Sequence, residues 1–372
     1  MIHPDVLKQI ERHSYLGNPS ASYGTLAKRC IYDTKKSICT WAQAPDYKVY
    51  FTSGGSESIN TIINNSINSS SISNPHIITS VAEHTTTLEC CKNLEELHRA
   101  TVTYVSSDPY ISEKEVIDAI TPNTVLITLI HGNNETGVVN NVESICRHVK
   151  KINPNILFHI DAVQTFGKGY VQLKNAGIDA MSFSAHKFNA GSGIGGLVVS
   201  PQITIQYPLI CGTQQDGCRG GTENVPAIAG LNEGIKIVSH NRSYKNQEMR
   251  NYVQYIWNYL EQNIPMHYKI KLITPIKNNK KTVLPNTLMF YLQNGNPNKV
   301  CNVDLKRKLQ LMGYIVSIGS ACKTGSAYAS HVVYSLSIPD EARKGILRIS
   351  VGDFTTKYEC WSLARAIISL LK

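Results

Sequence analysis

The sequence predicts an α/β protein, with a large domain on a mainly parallel sheet followed by a smaller α+β domain. Three observations carry this expectation. Strand-like apolar runs alternate with helix-period segments between Tyr47 and Val199. Two of those runs, residues 124–130 and 156–160, are almost wholly apolar, as suits strands buried on both faces. Near Asn241 the alternation stops, and residues 244–262 read as a long helix that could link two domains. The expected division is a large α/β domain over residues 1–242 and a small α+β domain over residues 243–372.

Taken in order, residues 3–10 read as a helix and Gly17-Asn18-Pro19-Ser20 as a turn. Residues 25–42 form a second helix. A strand over 47–52 runs into Ser53-Gly54-Gly55-Ser56-Glu57-Ser58, after which Ile59, Ile62, Ile63 and Ile67 recur at helical spacing. Residues 64–75, rich in Asn and Ser, read as the helix end and a surface loop. Strands are expected over 76–80, 101–105, 124–130, 156–160, 180–183 and 195–199, and helices over 85–99 and 142–152. Ser112-x-x-Glu115 is a capping box before Val116, Ile117 and Ile120. In the smaller domain, residues 269–273, 287–292 and 347–351 are strand-like. The last helix carries Cys360, Leu363, Ala364, Ile367, Ile368 and Leu371 on one face and is opened by the capping box Thr356-x-x-Glu359.

Composition narrows the class. A chain of 372 residues can bury a large core. No apolar run approaches the roughly 18 residues of a membrane span. The start has no signal-peptide pattern, and Asp5 and Glu11 interrupt any mitochondrial-type segment. The ten cysteines lack scaffold spacing and no C-x-x-C occurs, so the expected state is reduced thiols in a cytoplasmic compartment. The net charge of +10 is dispersed, with a modest cluster over 269–281. No nucleic-acid motif accompanies it, and direct nucleic-acid binding is not expected. An anionic cofactor or an acidic partner would account for the charge equally well.

Several residues have chemical potential, each with a plain alternative. Lys187, in Ser182-Phe183-Ser184-Ala185-His186-Lys187, sits at a strand end among small residues; partial burial would free its amine as a nucleophile, and otherwise it is a solvated turn lysine. Gly54-Gly55-Ser56 lies at a strand-to-helix turn, where free N–H groups suit an anion, or where Ser56 simply caps the helix. Asp161 ends a buried strand and needs a cation or several donors; it is either a partner for a protonated ring nitrogen or a turn aspartate. His84 opens a helix and could stack on a flat ring and move protons, or only start the helix. Asn134 and Gln164 lie beyond strand ends, as loop amides or ligands. Arg348, in a short apolar strand, either faces solvent or holds a carboxylate. Among the cysteines, Cys322 has the least core-like surroundings, and Lys323 beside it would favour its thiolate.

Together these segments resemble the pyridoxal-phosphate enzymes of the aspartate-aminotransferase fold and, more narrowly, the NifS/IscS-like cysteine desulfurases among class V aminotransferases. The resemblance runs, in the family's order, through Gly17 to Ser20, Thr52 to Ser58, Glu83-His84, His131-Gly132-Asn133-Asn134-Glu135-Thr136-Gly137, His159-Ile160-Asp161-Ala162-Val163-Gln164, Ser182 to Lys187, Arg219-Gly220-Gly221-Thr222-Glu223-Asn224 and Gly319-Ser320-Ala321-Cys322.

The resemblance implies that Lys187 holds pyridoxal phosphate as a Schiff base and that Asp161 pairs with its ring nitrogen. It implies that His84 stacks on the ring and transfers protons, and that Asn134 and Gln164 bond the ring's phenolic oxygen. Gly55, Ser56, Ser184 and His186 would hold the phosphate, and Thr222 would reach the phosphate of a partner subunit in a homodimer with shared sites. Arg348 would bind the carboxylate of L-cysteine, with Asn134 also contributing to substrate binding. Cys322 would accept its sulfur as a persulfide for a sulfur-acceptor or scaffold protein, in iron–sulfur cluster assembly or tRNA thiolation. No metal ligand is implied.

The chain also departs from the family pattern. The family's opening strand, with its aspartate-x-x-alanine-threonine-threonine segment, would precede Met1. Ile210-Cys211-Gly212-Thr213-Gln214-Gln215 replaces a glycine-rich, histidine-containing segment, and residues 190–193 lack the usual proline and lysine. The scaffold-binding tail is short. These features imply a divergent member. Two rival readings follow from the same residues: a selenocysteine lyase or other β-elimination enzyme, and an inactive fold kept as a binding protein.

Overall fold

A computed structural model describes residues 1–169, 171–206, 212–276, 282–295, 300–319 and 329–372. The chain divides into two compact units. The first comprises Met1–Val105, Ser112–His131 and Asn141–Arg242, and the second comprises Ser106–Ile111, Gly132–Asn140 and Ser243–Lys372. Two short stretches from the first 242 residues therefore group with the second unit, and one of them contains Asn134.

The first unit opens with helices α1 (Pro4–His13) and α2 (Thr25–Trp41). Strand β1 (Lys48–Thr52), helix α3 (Gly55–Asn68), strand β2 (His76–Ser80), helix α4 (Thr85–Glu96) and strand β3 (Thr101–Val105) follow. Next come α5 (Glu113–Asp118), β4 (Thr124–Ile130), α6 (Val142–Ile152), β5 (Leu157–Asp161), α7 (Leu173–Ala176), β6 (Ala180–Ser184) and β7 (Gly195–Val199). Helix α8 (Val225–Asn263) contains the point of division. The second unit continues with β8 (Tyr268–Leu272), β9 (Thr287–Asn294), α9 (Asn302–Leu311), α10 (His331–Tyr334), β10 (Ile346–Ser350) and α11 (Lys357–Leu371).

The seven strands of the first unit lie in the order β1-β7-β6-β5-β4-β2-β3. Only β7 runs against its neighbours β1 and β6; the other pairings are parallel. The mainly parallel sheet expected from the sequence is thus present. Strands β1, β2, β4, β5 and β6 all point the same way, so their carboxyl ends share one edge, where open α/β sheets bind ligands. Ile59, Ile62, Ile63 and Ile67 of α3 are buried in one apolar cluster with Cys91 and Leu94 of α4 and Ile77, Leu126 and Leu197 of the sheet. Strand β7 meets the β1–α3 turn very closely. A Cβ on Gly195 would lie 2.6 Å from the Phe183 carbonyl oxygen and 2.7 Å from Gly54 Cα.

The middle of the sheet is polar inside. His159 donates or accepts at both ring nitrogens, with Nδ1 2.8 Å from Thr128 Oγ1 and Nε2 2.9 Å from Ser182 Oγ. Burial pushes its imidazole down to about 3, so it stays neutral. This row crosses β4, β5 and β6 and satisfies groups that would otherwise be costly to bury.

In the second unit, β10-β9-β8 form an antiparallel sheet. Trp257, Phe290, Leu347, Ile367 and Leu371 share its core. The capping box at Thr356 is complete, with both the Thr356 side chain and the Glu359 carboxylate engaged.

Two boundaries differ from expectation for a clear physical reason. Helix α8 begins at Val225 rather than Tyr244. Its glycines weaken the helical signal in the sequence, but they serve packing: a Cβ on Gly234 would come within 2.3 Å of Ala190 Cβ. Helix α4 ends at Glu96 rather than Arg99, because His98 turns left-handed (φ 52) and returns its N–H to Glu95 O. At Ser112 the expected cap is in place, with Ser112 Oγ accepting the Glu115 N–H at 3.3 Å. Replacement Gly234→Ala should therefore lower the unfolding free energy, by about 1–3 kcal/mol from overpacking against Ala190, despite the ~1 kcal/mol gain in helix propensity. Urea unfolding measures it.

Candidate active site

In the first unit, four candidate segments, those at the ends of β1, β2, β5 and β6, come together because their strands end at one edge. After β1 the chain turns at Gly54 into α3, whose N-terminus has no side-chain cap. Glu57 instead turns back, with Oε2 accepting the Ser53 N–H at 2.6 Å and Oε1 accepting Arg219 Nε at 3.1 Å. Among the described residues, this leaves the amides of Gly55 and Ser56 without a side-chain acceptor, in the field of the helix dipole. Ser184 ends β6 beside this turn: a Cβ on Gly54 would lie 3.5 Å from Ser184 Oγ, which is itself 2.9 Å from His186 Nδ1. Gly55, Ser56, Ser184 and His186 thus line one cradle of donors suited to a phosphate.

Asp161 ends β5 and is 4% exposed. Its Oδ1 accepts the Val163 N–H at 2.9 Å. Burial raises its pKa to about 6, against the Val163 hydrogen bond and the Lys187 charge, which lower it. A carboxylate so placed is stabilised by a cation, and a protonated ring nitrogen is one. Gln164 is half-buried, and its side-chain amide makes no hydrogen bond among the described residues. Lys187 lies on a single 3₁₀ turn, Ala185–Phe188, after β6. It is exposed, which matches the solvated one of the two alternatives the sequence left open. The reason is its place at the rim, one turn past the sheet edge.

His84 caps α4, with Nδ1 accepting the Thr86 N–H at 3.2 Å. Thr222 is exposed and makes no hydrogen bond among the described residues.

Three contributors were not singled out from the sequence. Glu83 is fully buried, with Oε1 accepting Ser80 Oγ at 2.6 Å and the Ile130 N–H at 2.9 Å. Burial, with a smaller push from the Asp161 charge, raises it to about 8. At neutral pH Glu83 is therefore mostly protonated, and this edge carries one buried negative charge rather than two. A carboxylate directly after a wholly buried strand was the available signal. Lys168 donates from Nζ to Lys187 O at 3.0 Å and Gln164 O at 3.1 Å, tying two candidate segments together. Thr86 touches both His84 and Ser56. Neither Lys168 nor Thr86 has a local pattern that marks it.

Asn134 and Arg348 belong to the second unit. Asn133 Oδ1 accepts the N–H groups of Glu135 and Thr136, each at 2.9 Å, which shapes the turn around Asn134. Arg348 donates from Nη1 to Asn134 O at 2.9 Å. Its backbone pairs with Ser317 in both directions, at 2.6 and 3.0 Å. Its Nε is buried with no partner among the described residues. Burial pulls the guanidinium down and the nearby Glu135 carboxylate pulls it up. A desolvated guanidinium with a donor to spare is suited to an anion. Cys322 lies outside the described residues. Among those described, no group of three His, Cys, Asp or Glu residues is placed to hold a metal ion, and no helix is long and apolar enough to cross a membrane.

The aminotransferase class-V family model matches residues 1–362. A cysteine desulfurase IscS of Clostridium botulinum is 31% identical over 359 residues, covering 96% of this chain and 87% of the relative. A cysteine desulfurase of a Nostoc species is 32% identical over 369 residues, covering 96% and 86%. A solved structure described as a NifS-like protein superposes with a TM-score of 0.88 at 28% identity, covering all of this chain and 96% of the other. The chain therefore belongs to the class V aminotransferase family, whose cofactor is pyridoxal phosphate. The residues present fit that group: uncapped amides and hydroxyls for its phosphate, a buried carboxylate for its ring nitrogen, and a lysine one turn away.

The buried acids make stability depend on pH in the cofactor-free protein. Glu83 has a folded value near 8 against an ordinary 4.5, so the native state holds the extra proton between these values. Its contribution is present at low pH and is lost as pH rises through that window. Glu83→Gln should abolish this loss, leaving the variant more stable than the parent by on the order of 4 kcal/mol at pH 8, relative to their difference at pH 4. Urea titrations at both pH values measure it.

Proposed function

We propose that this chain is a cysteine desulfurase, removing sulfur from L-cysteine to give L-alanine and a persulfide on Cys322. The observation that carries the reading is the shared edge of Asp161, the Gly55–Ser56 amides, Ser184, His186 and Lys187, in a chain matched along its length by cysteine desulfurases. Bound pyridoxal phosphate supplies an electron sink for the bonds at the substrate's Cα.

The chain's own residues do the rest. Gly55, Ser56, Ser184 and His186 hold the phosphate. Asp161, ionised by a cationic partner, keeps a proton on the ring nitrogen. Asn134 and Gln164 bond the phenolic oxygen. Lys187 carries the cofactor and afterwards moves protons, as does His84 against the ring. Arg348 binds the substrate carboxylate with its spare donors. The Cys322 thiolate attacks the substrate sulfur; an S–S bond forms, the Cβ–S bond breaks, and its electron pair stays on the three-carbon fragment, which takes up protons and leaves as alanine.

We assign cofactor binding to residues 1–242 and sulfur delivery to residues 243–372. The exposed Thr222 supports a homodimer in which it reaches the partner's phosphate, and a sulfur-acceptor protein would take the persulfide. This chemistry suits a reducing compartment, and we place the protein in the cytoplasm.

Purified protein given cysteine and a thiol reductant should release sulfide and alanine in equal amounts. Cys322→Ser should cut sulfide release by at least about a hundredfold while keeping the cofactor. Equal rates for parent and Cys322→Ser would remove Cys322 from the account. A faster reaction with selenocysteine alone would transfer the chain to the lyases.

A further inference from the structure

The contacts around His84 reach further than a helix cap. Thr86 meets the imidazole twice: its backbone N–H is 3.2 Å from Nδ1 and its Oγ1 is 3.0 Å from the same atom. The same Oγ1 lies 3.1 Å from Ser56 Oγ. Ser56 opens α3 and His84 caps α4, so one hydroxyl joins the starts of two helices.

Donor and acceptor roles can be assigned by elimination. A backbone N–H only donates, so Nδ1 must present its lone pair to Thr86. The neutral ring then carries its proton on Nε2. Thr86 Oγ1, 3.0 Å from that lone pair, must also donate to it, since two lone pairs at that distance repel. Its remaining capacity is to accept, and Ser56 supplies the proton.

We propose that Thr86 is a positioning residue: it fixes His84 in the Nε2–H tautomer and couples that imidazole to the Ser56 hydroxyl of the phosphate cradle. The inference builds on the function proposed above, in which His84 faces the cofactor ring and Ser56 its phosphate. In that setting Nδ1 is occupied and the ring proton lies on Nε2. A phosphate that draws the Ser56 proton to itself changes what Thr86 receives, and through Thr86 what His84 receives. Two functional segments far apart in sequence are thus set in register by a side chain that contacts each of them.

The test uses full-length protein labelled with ¹⁵N-histidine, with His84→Gln to assign the His84 signals. Thr86→Val keeps the backbone N–H and removes only the hydroxyl; Thr86→Ser restores it. The parent should show an unprotonated Nδ1 and a protonated Nε2. In Thr86→Val the Nδ1 resonance should move downfield as one hydrogen bond is lost, and Thr86→Ser should return it. Release of pyridoxal phosphate, followed by absorbance, should be about fivefold faster in Thr86→Val and normal in Thr86→Ser, the size expected for one neutral hydrogen bond. A proton on Nδ1 in the parent, or a Thr86→Val spectrum identical to the parent's, overturns the proposal. If the parent takes up no pyridoxal phosphate, the functional reading fails, and the Nδ1 resonance still decides the role of Thr86.

Discussion

Asp161 ends its strand with a carboxylate that is almost wholly out of water and receives the Val163 N–H. Burying a charge this way is expensive unless something cationic meets it. Much of the surrounding architecture can be understood from that cost. Glu83, a second buried acid in its electrostatic reach, is held protonated at neutral pH, so repulsion between the two is avoided. His131 and His159 nearby are kept neutral by burial, with hydroxyl partners on Thr165, Thr128 and Ser182. The edge is thereby left with one deep negative charge and a rim of donors. That combination favours a ligand with a cationic ring and an anionic tail.

Sheet order makes this arrangement possible. Strands β4, β5 and β6 are neighbours, and the pairings Ile130 to Asp161 and Asp161 to Ser182 fix where each strand stops. Slipping one strand by a residue would turn Asp161 to the other face. The antiparallel β7 closes the gap between β6 and β1 and brings Gly54 against the β6 end, which is why Gly195 must lack a side chain. The phosphate cradle therefore depends on a backbone contact as much as on the residues that line it.

The sequence was most informative where one physical signal dominates. Doubly buried strands such as β4 and β5 are legible as apolar runs, and the complete capping box at Thr356 is legible from two residues. The start of α8 was hidden because Gly234 serves packing against Ala190 at the expense of helix propensity. Helices α7 and α10, four residues each, are too short to show a period. The cradle was readable as separate motifs, but its connections were not. Thr86 and Lys168 act through contacts between segments that no local pattern records. For Lys187 the sequence left partial burial and a solvated turn both open, and its position one turn beyond β6 leaves it exposed.

The central claim is that Asp161 and Lys187 serve one bound cofactor that acts on cysteine. The visible absorption spectrum of the purified protein and of Lys187→Ala, each before and after adding L-cysteine, tests it most directly. The account predicts a lysine-bound pyridoxal-phosphate band in the parent that changes on adding cysteine and recovers as the substrate is consumed. It predicts that Lys187→Ala lacks this band and sustains no turnover. A parent protein that stays colourless with added pyridoxal phosphate, or a Lys187→Ala variant with the parent's spectrum and turnover, would contradict it.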